Sequence, residues 1–264
     1  MARMAEASGD RDEHCIVDGV DTRFRDTGGA GPVVLLLHGW GDTLATFDAL
    51  IPELGDRRFI RLDLPGFGAS EIPSSPWDVA RYAAFVRHFL DKLGIAEPDI
   101  LVGHSFGGRI VIKGAASGLF KPKKIVLIAS AGAAARSRAR RSAFAALAKV
   151  GKFLTAVPPL SLFRERLREK LYRLAGSADY LRVGPLKETF LNVVGENLLA
   201  NAEKITVPTL LVWGEHDTET PLAEARILEK AIMNARLAII PGESHFVHLE
   251  MPEETAREIR AFIT

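Results

Sequence analysis

The sequence predicts an α/β protein: a mostly parallel, twisted sheet opened by an antiparallel hairpin, with helices on both faces and an inserted helical segment. Three observations point there. Short Val/Leu/Ile runs alternate with amphipathic helical stretches as far as residue 130. For about 75 residues the alternation then lapses into helical patterns alone, and it resumes at Pro208.

Taken in order, His14 to Arg25 reads as a hairpin around the turn Asp18-Gly19. Pro32 to Leu37 is short and apolar enough for a buried parallel strand. Leu44 to Leu54 reads as helix and Arg58 to Leu62 as strand. In Trp77–Leu93 the apolar residues Val79, Tyr82, Ala83, Val86, Phe89, Leu90 and Leu93 recur at helical spacing, and Gly94 is the stop. Asp99 to Val102 is a buried strand that turns into a helix through Gly108 and Ile112, and Lys124 to Ala129 is the next strand. Helical patterns follow at Ala139–Leu154, Ser161–Leu174 and Pro185–Ala200. Pro208–Trp213 and Ala235–Ile240 close the set of strands. The expected organisation is a flexible tail at 1–13, a core formed by 14–130 and 206–264, and a helical cap at 131–205. The insertion carries too many apolar residues for a disordered linker.

The chemistry centres on Gly103-His104-Ser105-Phe106-Gly107, which sits where a buried strand becomes a helix. A turn this tight leaves no room for side chains two residues either side of the serine, and glycines stand at both places. Two later strand ends deliver the groups such a serine needs. One carries Gly214-Glu215-His216-Asp217, the other Pro241-Gly242-Glu243-Ser244-His245. Ser105 is expected as nucleophile, His245 as the base that takes and returns its proton, and Asp217 as the carboxylate that orients the imidazole. The backbone N–H of Phe106, at the helix start, is one expected oxyanion donor. His248 is a competitor for His245, but it lies one helical turn on and is expected to pack. Asp63, in Asp63-Leu64-Pro65-Gly66-Phe67-Gly68, is expected to fix its own loop. Asp63 is another candidate acid, but the absence of a carboxylate after the strand ending near Ala129 strengthens Asp217.

The order Ser105, Asp217, His245, each at a strand's carboxyl end, resembles the α/β-hydrolase superfamily from about Ile16 to Thr264. The resemblance implies an α/β-hydrolase fold. It also implies a second oxyanion N–H at Trp40, in His38-Gly39-Trp40-Gly41, because the residue after the glycine supplies it in relatives with this pattern. His38 and His104 would support the loops around that site, while Trp40, Phe106 and His104 are candidates to line the substrate pocket. Together with the segment Asp63 to Gly68, that loop resembles the pimeloyl-[acyl-carrier-protein] methyl ester esterase group. His104 and Phe106 depart from the Trp and Leu usual there. Serine as nucleophile argues against haloalkane dehalogenases and most epoxide hydrolases.

Composition narrows the function classes. At 264 residues and 47% apolar, the chain can bury one large core, yet no stretch reaches the ~18–20 apolar residues of a membrane span. The first thirteen residues lack an apolar h-region, so no signal peptide is expected. A single cysteine, Cys15, excludes an internal disulfide framework and fits a cytoplasmic location. The net charge of +1 gives no pull toward nucleic acid. Residues 131–200, however, hold 13 Lys/Arg against 5 Asp/Glu. A basic cap of this kind suits an acidic acyl-carrier protein as partner. No nucleotide-binding glycine motif and no H-E-x-x-H are present, so no cofactor or metal is expected. His245 and His248 could share an ion, but the sequence indicates no third ligand. The expected function is a serine carboxylesterase acting on small-molecule esters of small to medium acyl chains. The alternatives are a thioesterase or C–C bond hydrolase using the same residues, or a small-molecule receptor without turnover.

Overall fold

A computed structural model describes residues 10–132 and 184–264. Eight strands form one sheet: β1 (Glu13–Val17), β2 (Val20–Asp26), β3 (Val33–Leu37), β4 (Arg58–Leu62), β5 (Ile100–His104), β6 (Lys124–Ile128), β7 (Thr209–Gly214) and β8 (Ala235–Ile240). Their order is β1-β2-β4-β3-β5-β6-β7-β8. β1–β2 and β2–β4 pair antiparallel, and every later pair is parallel. The hairpin turns through Asp18 and Gly19, both at positive φ, as a two-residue turn matched to strand twist requires.

Every residue of β5 and β7 is buried. Successive side chains point to opposite faces, so these strands must be covered on both sides. The cover comes from α1 (Val79–Lys92), α2 (Phe106–Ala116), α3 (Lys187–Gly195), α4 (Leu199–Ala202), α5 (Leu222–Ala231), α6 (Val247–Glu250) and α7 (Pro252–Ile263). α1 packs against α2, and α7 against the 51–54 turn. Asp78 caps α1 by accepting from the Arg81 N–H, and Gly94 ends it at φ +71.

Two elements differ from expectation. Residues 44–54 are not one helix but two 3₁₀ turns, Leu44–Phe47 and Ile51–Leu54. Pro52, which has no N–H to donate, blocks a continuous helix there. The pattern at Pro185–Ala200 also breaks, into a 3₁₀ turn (Gly184–Leu186), α3 and α4. Asn197 accounts for the interruption, since its Oδ1 accepts from the Leu199 N–H and starts a new turn. The tail up to residue 9 and the patterns at Ala139–Leu154 and Ser161–Leu174 lie outside the described residues. No helix among the described residues is long and apolar enough to cross a membrane.

β3 lies between β4 and β5, so strand order reverses across it. The chain therefore leaves β3 and β5 in diverging directions, and a crevice opens beyond their carboxyl ends. His38–Gly41 and Ser105 emerge at that crevice.

Candidate active site

Ser105 occupies the junction of β5 and α2 at φ 48, ψ −106, a region L-residues rarely adopt. The surroundings enforce it. A Cβ on Gly103 would lie 2.6 Å from the Gly108 nitrogen, and one on Gly107 would run into the Leu37 carbonyl of β3. The Gly107 N–H donates to His38 O at 3.0 Å, tying the serine turn to the loop after β3. That loop comes close, for a Cβ on Gly39 would sit 3.4 Å from Ser105 Cβ. The N–H groups of Trp40 and Phe106 make no hydrogen bond to the described residues.

His38 is fully buried, and its two nitrogens have fixed roles. Nε2 accepts from the Leu64 N–H at 2.9 Å, so Nδ1–H donates to Gly39 O at 2.7 Å. Burial lowers its pKa and favours this neutral form. Asp63, also buried, accepts from the Leu44 N–H, the Ala69 N–H and Arg23 Nε at 2.7–2.8 Å. It fixes its loop, as the sequence led us to expect.

On the other side, Gly214 lets the loop after β8 close onto the end of β7, because a Cβ there would collide with Ser244 O. The His216 N–H donates to Glu243 O at 2.8 Å, and the two loops meet with Asp217 beside His245. Asp217 Oδ2 accepts from His245 Nδ1–H at 2.8 Å, both side chains being buried. Oδ1 of Asp217 accepts from the Glu219 and Thr220 N–H groups at 2.9 and 2.8 Å. The Thr220 hydroxyl donates to Oδ2 at 2.8 Å, and Trp213 Nε1–H holds the Thr220 carbonyl at 2.7 Å. Thr220 was not singled out from sequence, although a threonine three residues after an aspartate is a local turn signal.

Ser105 and His245 are not joined: Ser105 Oγ makes no hydrogen bond to the described residues. His245 Nε2 lies 3.6 Å from Glu219 Oε2, a carboxylate the sequence reading also passed over. His104 connects the two sides, its Nε2–H donating to His245 O at 3.3 Å. His248 is fully buried, hydrogen-bonded to Thr46 Oγ1 at 2.8 Å, its ring tilted 52° to that of His104 with centroids 4.3 Å apart. It packs rather than facing Ser105.

A cleft of about 470 Å³ opens beside Trp40, with Phe67, Ile72, Leu186, Phe246 and Leu249 among its walls. The Trp40 ring meets Phe67, Phe106 and Phe190 edge-on at 4.9–5.3 Å. Phe106 and His104 are buried and do not line this cleft. Phe190 belongs to α3, which Arg109 of α2 anchors by donating to the carbonyls of Val193 and Glu196.

Residues 34–258 match the alpha/beta hydrolase family. The chain belongs to that family. Among curated proteins it is 29% identical over 276 residues to the dihydrolipoyllysine-residue acetyltransferase component of the acetoin cleaving system of Pseudomonas putida, covering 98% of this chain and 70% of the relative. It is 26% identical to the pimeloyl-[acyl-carrier protein] methyl ester esterase of Aeromonas hydrophila, over 89% of this chain and 96% of that one. Among solved structures, an N-acyl homoserine lactone degrading enzyme superposes with a TM-score of 0.72 at 25% identity, over 95% of this chain and all of the other. Together these likenesses support hydrolase activity in general.

Proposed function

We propose that the protein is a serine hydrolase cleaving carboxylic esters of small to medium acyl chains. The reading rests above all on Ser105, held at positive φ on a strand-to-helix turn across from a buried His245–Asp217 pair 2.8 Å apart. In this mechanism Ser105 Oγ attacks the ester carbonyl carbon and its proton passes to His245 Nε2. The Trp40 and Phe106 N–H groups, which have no hydrogen-bond partner among the described residues, receive the oxyanion, each contributing about 2.7–4 kcal/mol. Collapse expels the alcohol with the proton from His245. Water then attacks the acyl-enzyme by the same route and releases the acid. Asp217 keeps Nδ1 protonated so that Nε2 is free to act as base.

The hydrogen bond from Ser105 to His245 is of a kind that often forms only with substrate present. A change between staggered rotamers of Ser105 would move Oγ without disturbing the backbone. The cleft beside Trp40 is apolar enough for an acyl chain, and Pro185 and Leu186 of its wall belong to residues 131–205. The basic charge of that segment suits an acidic acyl-carrier protein as a source of substrate.

The test is turnover of a p-nitrophenyl ester length series, with thioesters and carrier-linked esters as parallel arms. Ester turnover that Ser105→Ala abolishes without unfolding the protein supports the proposal. Activity above a few per cent in that variant would assign the nucleophile elsewhere. A preference for thioesters would move the substrate class, and equal rates on free and carrier-linked esters would remove the carrier.

A further inference from the structure

Beside the proposed triad, three side chains from three separate segments converge: Asp42 after the loop of Trp40, His104 at the end of β5, and His248 in α6. One ligand atom from each lies within 4.8 Å of those of the other two. Each side chain is held by one of its two polar atoms. Asp42 Oδ1 accepts from the Thr43 N–H at 2.8 Å, His104 Nε2 donates to His245 O, and His248 Nε2 bonds Thr46 Oγ1. The other atoms, Asp42 Oδ2, His104 Nδ1 and His248 Nδ1, are buried and have no hydrogen-bond partner among the described residues.

Three unsatisfied buried polar atoms in one place are destabilising and need an explanation. A backbone carbonyl can only accept, so His104 must carry its proton on Nε2 and present a lone pair at Nδ1. His248 presents the same lone pair at Nδ1 in the tautomer whose Nε2–H donates to the Thr46 hydroxyl. In that tautomer the three atoms are all acceptors. A water molecule has two protons for three acceptors, whereas a cation meets all of them. An outer nitrogen fixed by a carbonyl or hydroxyl is also how metal-bound histidines are oriented.

We propose that Asp42, His104 and His248 bind one divalent transition-metal ion of the zinc class. Two imidazole nitrogens and a carboxylate oxygen suit that ion, with a fourth position left for water. Asp42 also lines the cleft beside Trp40, the side from which an ion and that water would enter. Bonds of about 2.0–2.2 Å in tetrahedral geometry place ligand atoms about 3.3–3.6 Å apart, against separations of up to 4.8 Å here, so side-chain adjustment would complete the site. The ion would pin the Trp40 loop, the serine turn and α6 to one another, whichever substrate the protein takes. His245, which sequence spacing paired with His248, is turned to Asp217 instead.

The test uses the full chain, stripped with chelator and titrated with zinc alone by calorimetry, with metal content measured after gel filtration. One zinc per chain and a higher Tm are expected. The cobalt form of the wild-type protein should show visible bands of low-coordinate Co²⁺, a readout that needs no variant to fold. Asp42→Asn and His248→Gln should each weaken zinc binding more than about 100-fold, beyond the 10–100-fold of outer-shell changes. A folded wild-type chain that neither retains zinc nor gains stability from it overturns the proposal. So does undiminished binding in both variants, or a water on the three atoms in crystals grown with zinc.

Discussion

Two buried aspartates at carboxyl ends of the sheet, Asp63 after β4 and Asp217 within the loop after β7, meet opposite fates. Asp63 directs both oxygens at backbone N–H groups and at Arg23. Its charge is consumed in holding the chain. Asp217 uses one oxygen for the turn that carries it and keeps the other for Thr220 and His245. Burial is the same; what differs is whether a titratable side chain is among the donors. A carboxylate neutralised by fixed amides and a guanidinium can only stabilise, whereas one facing an imidazole can stabilise a proton in transit.

The comparison breaks most sharply at Asp217→Asn. With the wrong imidazole tautomer favoured, kcat on esters should fall about 10⁴-fold while circular dichroism and Tm change little. Asp63→Asn should reverse the pattern. Loss of the charge beside Arg23 should lower stability by about 1–3 kcal/mol in denaturant melts, with kcat per folded molecule within a few-fold of wild type. If both variants lose activity and keep stability, the division of labour between the two is wrong.

A smaller effect concerns the loop that Asp63 and His38 hold together. Burial depresses the His38 pKa, and its Nε2 must stay unprotonated to accept from Leu64. Below the unfolded imidazole pKa of about 6.5, the unfolded chain binds a proton that the folded chain resists. Stability present above that pH should therefore decline as the pH falls through 6.5 toward the folded value. His38→Gln should flatten this part of the Tm–pH curve; an unchanged slope would assign it to other groups.

Much of this architecture was legible in the sequence because strand runs and glycine spacing are local signals. β4 and β8 lie where their apolar runs put them, and the turn at Ser105 follows from glycines two residues either side. The 44–54 segment misled because its apolar spacing is helical while Pro52 interrupts the bonding. Thr220 and Glu219 sit next to Asp217 in sequence but gain meaning only when the β8 loop arrives across Gly214. The Asp42–His104–His248 cluster was invisible for the same reason, its members being 62 and 144 positions apart. Such sites are set by tertiary approach, which no window of residues contains.

The most direct measurement is reaction of the folded protein with a fluorophosphonate probe, followed by peptide mass mapping. One label per chain on Ser105, lost on mutation of His245, is the predicted result. A folded chain that stays unlabelled at Ser105, or carries its label on another residue, would contradict the assignment of Ser105 as nucleophile.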